Sequence, residues 1–109
     1  MTAPGRPRVR VPARATPGEV IEIRTLIDHP METGLRKNAD GNPIPRDMLA
    51  SFTALANGAE VFSAVFRNAT SANPYLVFHA RIDGPTAFTF IWTHEDGRTE
   101  QATATVAVN

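Results

Sequence analysis

A chain of 109 residues is long enough for one domain with a single core and too short for two. Its 11 basic and 11 acidic side chains cancel, so its charge directs it neither to nucleic acid nor to an anionic membrane surface. Having no cysteine, it is excluded from disulfides, thiolate catalysis and Cys-based metal sites, and a chain without thiols folds equally well in a reducing or an oxidising compartment.

The first segment, Met1 to Pro7, is polar and rich in Pro and Gly and reads as a frayed arm, leaving 8–109 as the folded domain. No apolar run follows it that is long enough for a signal peptide or a membrane span. Arg8-Val9-Arg10-Val11 alternates between Pro7 and Pro12, which cannot donate to a ladder and so favour a sheet edge. Thr16-Pro17-Gly18-Glu19 has turn chemistry. From Val20 to Ile27 the run is β-branched, with Ile21, Ile23, Thr25 and Ile27 on one face. The longest interruption comes next, from Asp28-His29-Pro30-Met31-Glu32-Thr33-Gly34 through Asp40-Gly41 to Pro45.

Met48 to Ala56 predicts a strand with Met48, Phe52 and Ala54 on one face and Leu49 opposite. Asn57-Gly58 predicts a tight hairpin, because a type I′ turn needs positive φ at both central residues. The return strand runs from Glu60 to Phe66. Further strands are expected over Tyr75 to Ile82, Thr86 to Thr93, where Phe88, Phe90 and Trp92 share a face, and Thr99 to Val108. No window has a helical period, so about seven evenly spaced strands predict an all-β fold, an immunoglobulin-like antiparallel β-sandwich. Leu76-Val77-Phe78 and the stretch around Ile91 are apolar on both faces, where a strand with one wet face should alternate. A sandwich this small has no helix to cover its outside, so Val77 and Ile91 suggest an outer face covered by another protein.

Signs of chemistry are sparse. His29, His79 and His94 lack the close spacing of a metal signature; His79 reads as a sheet residue and His94 as a solvated residue at a hairpin rim. His29 with Glu32 is the nearest approach to an imidazole and carboxylate site, and Met31 beside it would interest a soft metal, but two ligands do not hold an ion unaided. There is no nucleophile elbow, phosphate loop or dinucleotide fingerprint. Asn68-Ala69-Thr70 matches a glycosylation sequon without further support. These residues point to a binding or scaffold domain with no cofactor rather than to an enzyme.

Three stretches carry a family resemblance: Thr25 through His29-Pro30-Met31-Glu32-Thr33-Gly34 to Ile44-Pro45-Arg46, then Ser71-Ala72-Asn73-Pro74-Tyr75, then Phe88 through Trp92-Thr93 with Asp96-Gly97. In this order they resemble the SoxZ family, the cysteine-free subunit of the SoxYZ sulfur carrier of bacterial thiosulfate oxidation. The resemblance implies a non-catalytic partner of SoxY, whose C-terminal cysteine arm carries the sulfur intermediates while other Sox enzymes act on them. It also implies work in the periplasm after co-export with SoxY, without a signal peptide of its own, and no contact with nucleic acid or membrane. The two long loops, Asp28 to Arg36 and Ser71 to Tyr75, are then expected as recognition surfaces, with His29, Met31, Glu32, Arg36, Asn73 and Tyr75 in them and Val77 and Ile91 of the doubly apolar strands as further partner-binding residues. The alternatives are an immunoglobulin-like metal-handling domain using His29, Met31 and Glu32, and a SoxYZ-like subunit serving another oxidation pathway.

Overall fold

The computed structural model describes residues 7–67 and 72–109. The N-terminal arm up to residue 6, the sequon at 68–70 and Ser71 lie outside the described residues. The alternation read from the sequence becomes β1 (Arg8–Arg10), β2 (Arg14–Ala15), β3 (Glu19–Leu26), β4 (Leu49–Ala56), β5 (Ala59–Val65), β6 (Tyr75–Ile82), β7 (Thr86–His94) and β8 (Thr99–Val108). They form a three-stranded sheet in the order β1-β3-β6 and a five-stranded sheet in the order β2-β8-β7-β4-β5. The architecture is the expected all-β sandwich, and no helix long and apolar enough to cross a membrane occurs among the described residues.

Two details differ from the alternation. An extra short strand, β2, pairs in parallel with the end of β8, Arg14 against Ala107 and Ala15 against Val108, so the sandwich is not wholly antiparallel. Two residues between Pro12 and Pro17 are too few to show a period, and only the tertiary partner makes them a strand. Leu49, placed opposite Met48 by strict alternation, is buried alongside it, because the β4–β7 register shifts between Leu49 and Ser51. A bulge of this kind inserts one residue and resets the facing of everything beyond it.

The core lies between the sheets. Ile21, Ile23 and Thr25 of β3 and Phe78 and Ile82 of β6 face Phe52 and Ala54 of β4, Phe88, Phe90 and Trp92 of β7 and Val106 of β8. Phe52 sits at its centre, with its ring 4.9 Å from that of Trp92 and within 6.3 Å of Phe62, Phe78 and Phe90. Phe62 of β5 stacks on Phe78 of β6 at 4.4 Å, tying the two sheets along one side. Each large side chain removed from water contributes about 1.5–3 kcal/mol, and this aromatic layer supplies the main cohesion. The Asn57-Gly58 hairpin forms as expected, with φ of 50° and 86°.

These connections set the site. The end of β3 pairs with the start of β6, Leu26 against Tyr75, and the start of β4 pairs with the end of β7, Leu49 against His94. The long connection from β3 to β4, the β5–β6 loop and the β7–β8 hairpin therefore gather at one end of the sandwich.

Candidate functional site

The loop leaving β3 is stitched to the loop entering β6 by a reciprocal pair. The His29 N–H donates to Asn73 Oδ1 at 2.8 Å and the Asn73 N–H donates to the His29 carbonyl at 2.7 Å. Asn73 holds this position with φ of 52°, a left-handed conformation that Asn adopts more readily than most residues. Asn73→Ala is expected to cost about 1–2 kcal/mol by orphaning the His29 amide. Hydrogen exchange checks this: the His29 amide should exchange faster in the variant, with the β4–β7 amides unchanged.

After His29 the chain turns sharply at Pro30 and Met31. Met31 has φ of 52°, strained for a residue with an unbranched apolar side chain. Two things hold it there: its side chain is buried, and its N–H donates to His29 Nδ1 at 2.9 Å. Glu32 and Asp47 then exchange two backbone hydrogen bonds, both 2.8 Å, closing the neck of the excursion through 33–46. Beyond the neck, Glu32 pairs with Arg36, which holds its carboxyl below the usual glutamate range.

The return limb is locked by Arg46. Its guanidinium makes a two-pronged contact with Glu95, 2.8 and 2.9 Å, and donates to the Thr33 carbonyl at 2.8 Å, joining the excursion to the β7–β8 hairpin. The same contact holds the Glu95 carboxyl below its ordinary range. Gly34 is needed here: its φ is 86°, and a Cβ on it would sit 3.2 Å from Arg46 Cβ. Gly34→Ala is expected to destabilise by about 1–2 kcal/mol, read as a lower melting temperature. A Gly41→Ala control shares the positive φ but has no neighbour within 4 Å and should lose less.

Under this framework lies a cluster that no local stretch of sequence contains. His29 and His94 are both 5% exposed, with ring centroids 5.2 Å apart. Asp47, half exposed, places Oδ1 3.3 Å from His29 Nε2 and 3.9 Å from His94 Nδ1, and Arg98 approaches the same oxygen at 3.5 Å. His94 Nε2 faces Glu100 at 3.5 Å. His29 Nε2 and both ring nitrogens of His94 have no formed hydrogen bond among the described residues. Burial pushes the His29 pKa down against the opposing pull of the Asp47 charge, and the neighbouring His94 pushes it the same way as burial. A shallow opening of about 330 Å³, lined by Arg46, Asp47, Glu95, Asp96 and Arg98, lies over His94.

His29, Asp47 and His94 have the composition of a transition-metal triad, and their ligand atoms lie within 4.8 Å of one another. The hydrogen bonding of His29 counts against that use. A histidine that binds metal through one nitrogen donates a proton from the other, whereas His29 Nδ1 accepts from the Met31 amide. The proton of the neutral ring therefore sits on Nε2, the atom facing Asp47, where a metal would have to displace it. His29 therefore turns an N–H toward the Asp47 carboxylate at 3.3 Å without a formed hydrogen bond.

The expected site residues are distributed as follows. His29 and Met31 are buried beneath the loop and offer no surface. His94, read as solvated, is corrected to a buried partner of His29: it continues the inward parity of Phe88, Phe90 and Trp92 along β7. Glu32 and Arg36 pair with each other at the surface, and the His29, Met31 and Glu32 grouping does not form, since Asp47 and His94 come to His29 instead. Asn73 and Tyr75 are exposed beside the site, and Val77 follows on the outer face of the three-stranded sheet. Ile91 is half-buried on β7, on the outer face of the other sheet, so one flat contact does not cover both Val77 and Ile91. Asp47, Arg46 and Arg98 were missed because each becomes meaningful only when strand ends distant in sequence meet.

The chain is thus a cysteine-free all-β sandwich whose loop end is braced by the Asn73–His29 and Arg46–Glu95 contacts. A family model described as "Sulphur oxidation protein SoxZ" matches residues 9–105, and the chain belongs to the SoxZ family, a subunit of the Sox sulfur-oxidation carrier complex. No curated protein matches the chain. Among solved structures it is similar to the superoxide reductase (neelaredoxin) from Ignicoccus hospitalis, with a TM-score of 0.75 and 12% identity over 96% of this chain and 82% of that one. It is also similar to the sulfur carrier protein SoxY from Chlorobium limicola f thiosulfatophilum, with a TM-score of 0.66 and 12% identity over 94% of this chain and 78% of that one. At these identities the likeness shows the sandwich fold alone.

Proposed function

We propose that this chain is the non-catalytic subunit of a SoxYZ sulfur carrier: it binds SoxY and holds it in place while the SoxY cysteine carries the sulfur intermediates of thiosulfate oxidation. The observation that carries this reading is the family match over nearly the whole domain. The absence of any thiol agrees with it, since a chain without cysteine needs a partner to carry sulfur covalently. The working compartment on this reading is the periplasm, reached in company with SoxY, and other Sox enzymes meet the chain through the carrier complex. A stable pairing of this kind buries about 800 Å² or more on each partner.

The test is co-expression with a SoxY. A single 1:1 complex on size exclusion, with a dissociation constant in the nanomolar range by calorimetry, is the expected result. Separate elution of the two chains at micromolar concentration would overturn the reading. The metal-handling alternative is tested on the same material. Titration with Zn²⁺ and with Cu²⁺ is expected to leave the heat unchanged, and a stoichiometric binding curve abolished by His94→Ala would favour that alternative.

A further inference from the structure

One side of the sandwich is left open. β5 ends the five-stranded sheet and β6 ends the three-stranded sheet, and the Phe62–Phe78 stack shows that these two edges lie side by side. Of the six large apolar side chains that are exposed among the described residues, four are on these strands: Val61 and Val65 on β5, Tyr75 and Val77 on β6. Phe62, Phe66 and Leu76, which should close the core here, are only partly buried. A groove of about 420 Å³ runs along the seam, lined among others by Ala64, Val65, Phe66, Pro74, Tyr75 and Leu76, with no charged residue lining it among the described residues.

The backbone of β5 says what fits there. The Phe66 N–H donates to the Ala50 carbonyl of the neighbouring strand, so Phe66 exchanges bonds with β4. In an antiparallel ladder that duty alternates, which gives Ala64 and Phe62 the same direction and turns the N–H and C=O of Ser63 and Val65 outward. Edges are commonly guarded by proline, by basic side chains or by brevity. β1 is three residues long with Arg8 and Arg10 in it, and β6 carries His79 and Arg81 toward its far end. β5 has seven residues, no proline, no basic residue and a single charge at Glu60, with a bulge at Val61 as its one protective device. Another extended backbone can pair with the whole of such an edge, and apolar side chains at its alternate positions fit the groove beside it.

We infer that the partner adds an extended strand to β5, hydrogen-bonding to Ser63 and Val65 and setting apolar side chains over Phe62, Phe66 and Leu76. This rests on the reading that the chain binds SoxY, and it names the edge at which it does so. The groove ends at Pro74 and Tyr75, next to the Asn73–His29 stitch, so the added strand abuts the braced loop end.

Hydrogen exchange of the wild-type chain, free and in complex with SoxY, reads the inference directly. The Ser63 and Val65 amides should slow at least tenfold in the complex, while Thr103 and Thr105, on the outer side of β8, stay unchanged. Two variants follow. Ser63→Pro removes an outward N–H and leaves the β4 ladder intact, and Val65→Lys keeps the backbone but places a charge in the seam. Each should weaken binding at least thirtyfold, and Ile91→Lys on the other sheet should change it less than threefold. A complex that forms with unprotected Ser63 and Val65 amides, or one indifferent to Val65→Lys, overturns the inference and leaves SoxY binding standing. No complex with wild-type chain overturns both. Protection of the same amides in the chain alone, rising with its concentration, assigns the edge to a second copy and overturns the inference as stated.

Discussion

Phe52→Ala should remove about 3–5 kcal/mol of stability and lower the melting temperature by at least about 10 °C, at the scale of several degrees per kcal/mol for a domain of this size. The ring of Phe52 is fully buried and meets four other aromatic rings drawn from β5, β6 and β7. Because those strands belong to both sheets, the cavity left behind has walls that cannot collapse independently. A denaturant melt with the same m-value and a lower midpoint is the expected signature. A loss below about 1 kcal/mol would mean that the aromatic layer is not packed around Phe52. Val65→Ala, on the open edge, should change stability by less than about 0.5 kcal/mol.

His29→Ala is expected to have the second largest effect, about 2–4 kcal/mol near pH 8, through a buried cavity and the loss of the acceptor for the Met31 amide. Met31 is held at positive φ by that hydrogen bond, so the turn should loosen along with the ring. The effect should also depend on pH, with a definite sign. The folded-state pKa of His29 lies below its ordinary value of about 6.5, so in the interval between the two values the unfolded chain binds the proton and the folded chain does not. Stability from this group is complete above about pH 6.5 and is lost as pH falls through that interval toward the depressed folded value. Thermal melts from pH 8 to pH 5 should therefore converge for wild type and His29→Ala as the acid limit is approached. A constant gap between the two curves would show that His29 does not titrate differently on folding. Asp47→Asn, which removes the charge that favours the imidazolium, should move the wild-type inflection to lower pH.

The fold was readable because its signals are local. Alternation in β3 and β7 separated Ile21, Ile23 and Thr25 from Glu22 and Arg24, and Phe88, Phe90 and Trp92 from Ile91, and the structure keeps those assignments. What was lost involved breaks in period. The register shift beyond Leu49 turned that side chain inward, and β2 is too short to have any period. The two long loops were anticipated as recognition surfaces, though not their meeting through the Asn73–His29 pair, which depends on the end of the sandwich each loop takes. The buried cluster was not, although parity along β7 would have turned His94 inward had the alternation been carried two residues past Trp92. Asp47 offered no signal at all. Its role depends on the paired backbones of Glu32 and Asp47 and on a β7–β8 hairpin that begins nearly fifty residues later.

The small strand β2 has a bearing on how the chain folds. Arg14 and Ala15 pair with Ala107 and Val108, and Ala15 also accepts from the Asn109 amide. β8 lies inside the sheet, between β2 and β7, rather than at its margin. The five-stranded sheet therefore cannot close on the β2 side until the last strand has emerged, and its final pairing spans most of the chain. Contacts so distant in sequence slow folding, because the closure entropy is met before the contact repays it. A nascent chain halted before Thr99 would present β7 with an unpaired flank of alternating Phe, Thr and Ile, a segment well suited to mispairing with other strands. The order of synthesis makes β8 the late-arriving cover of that flank.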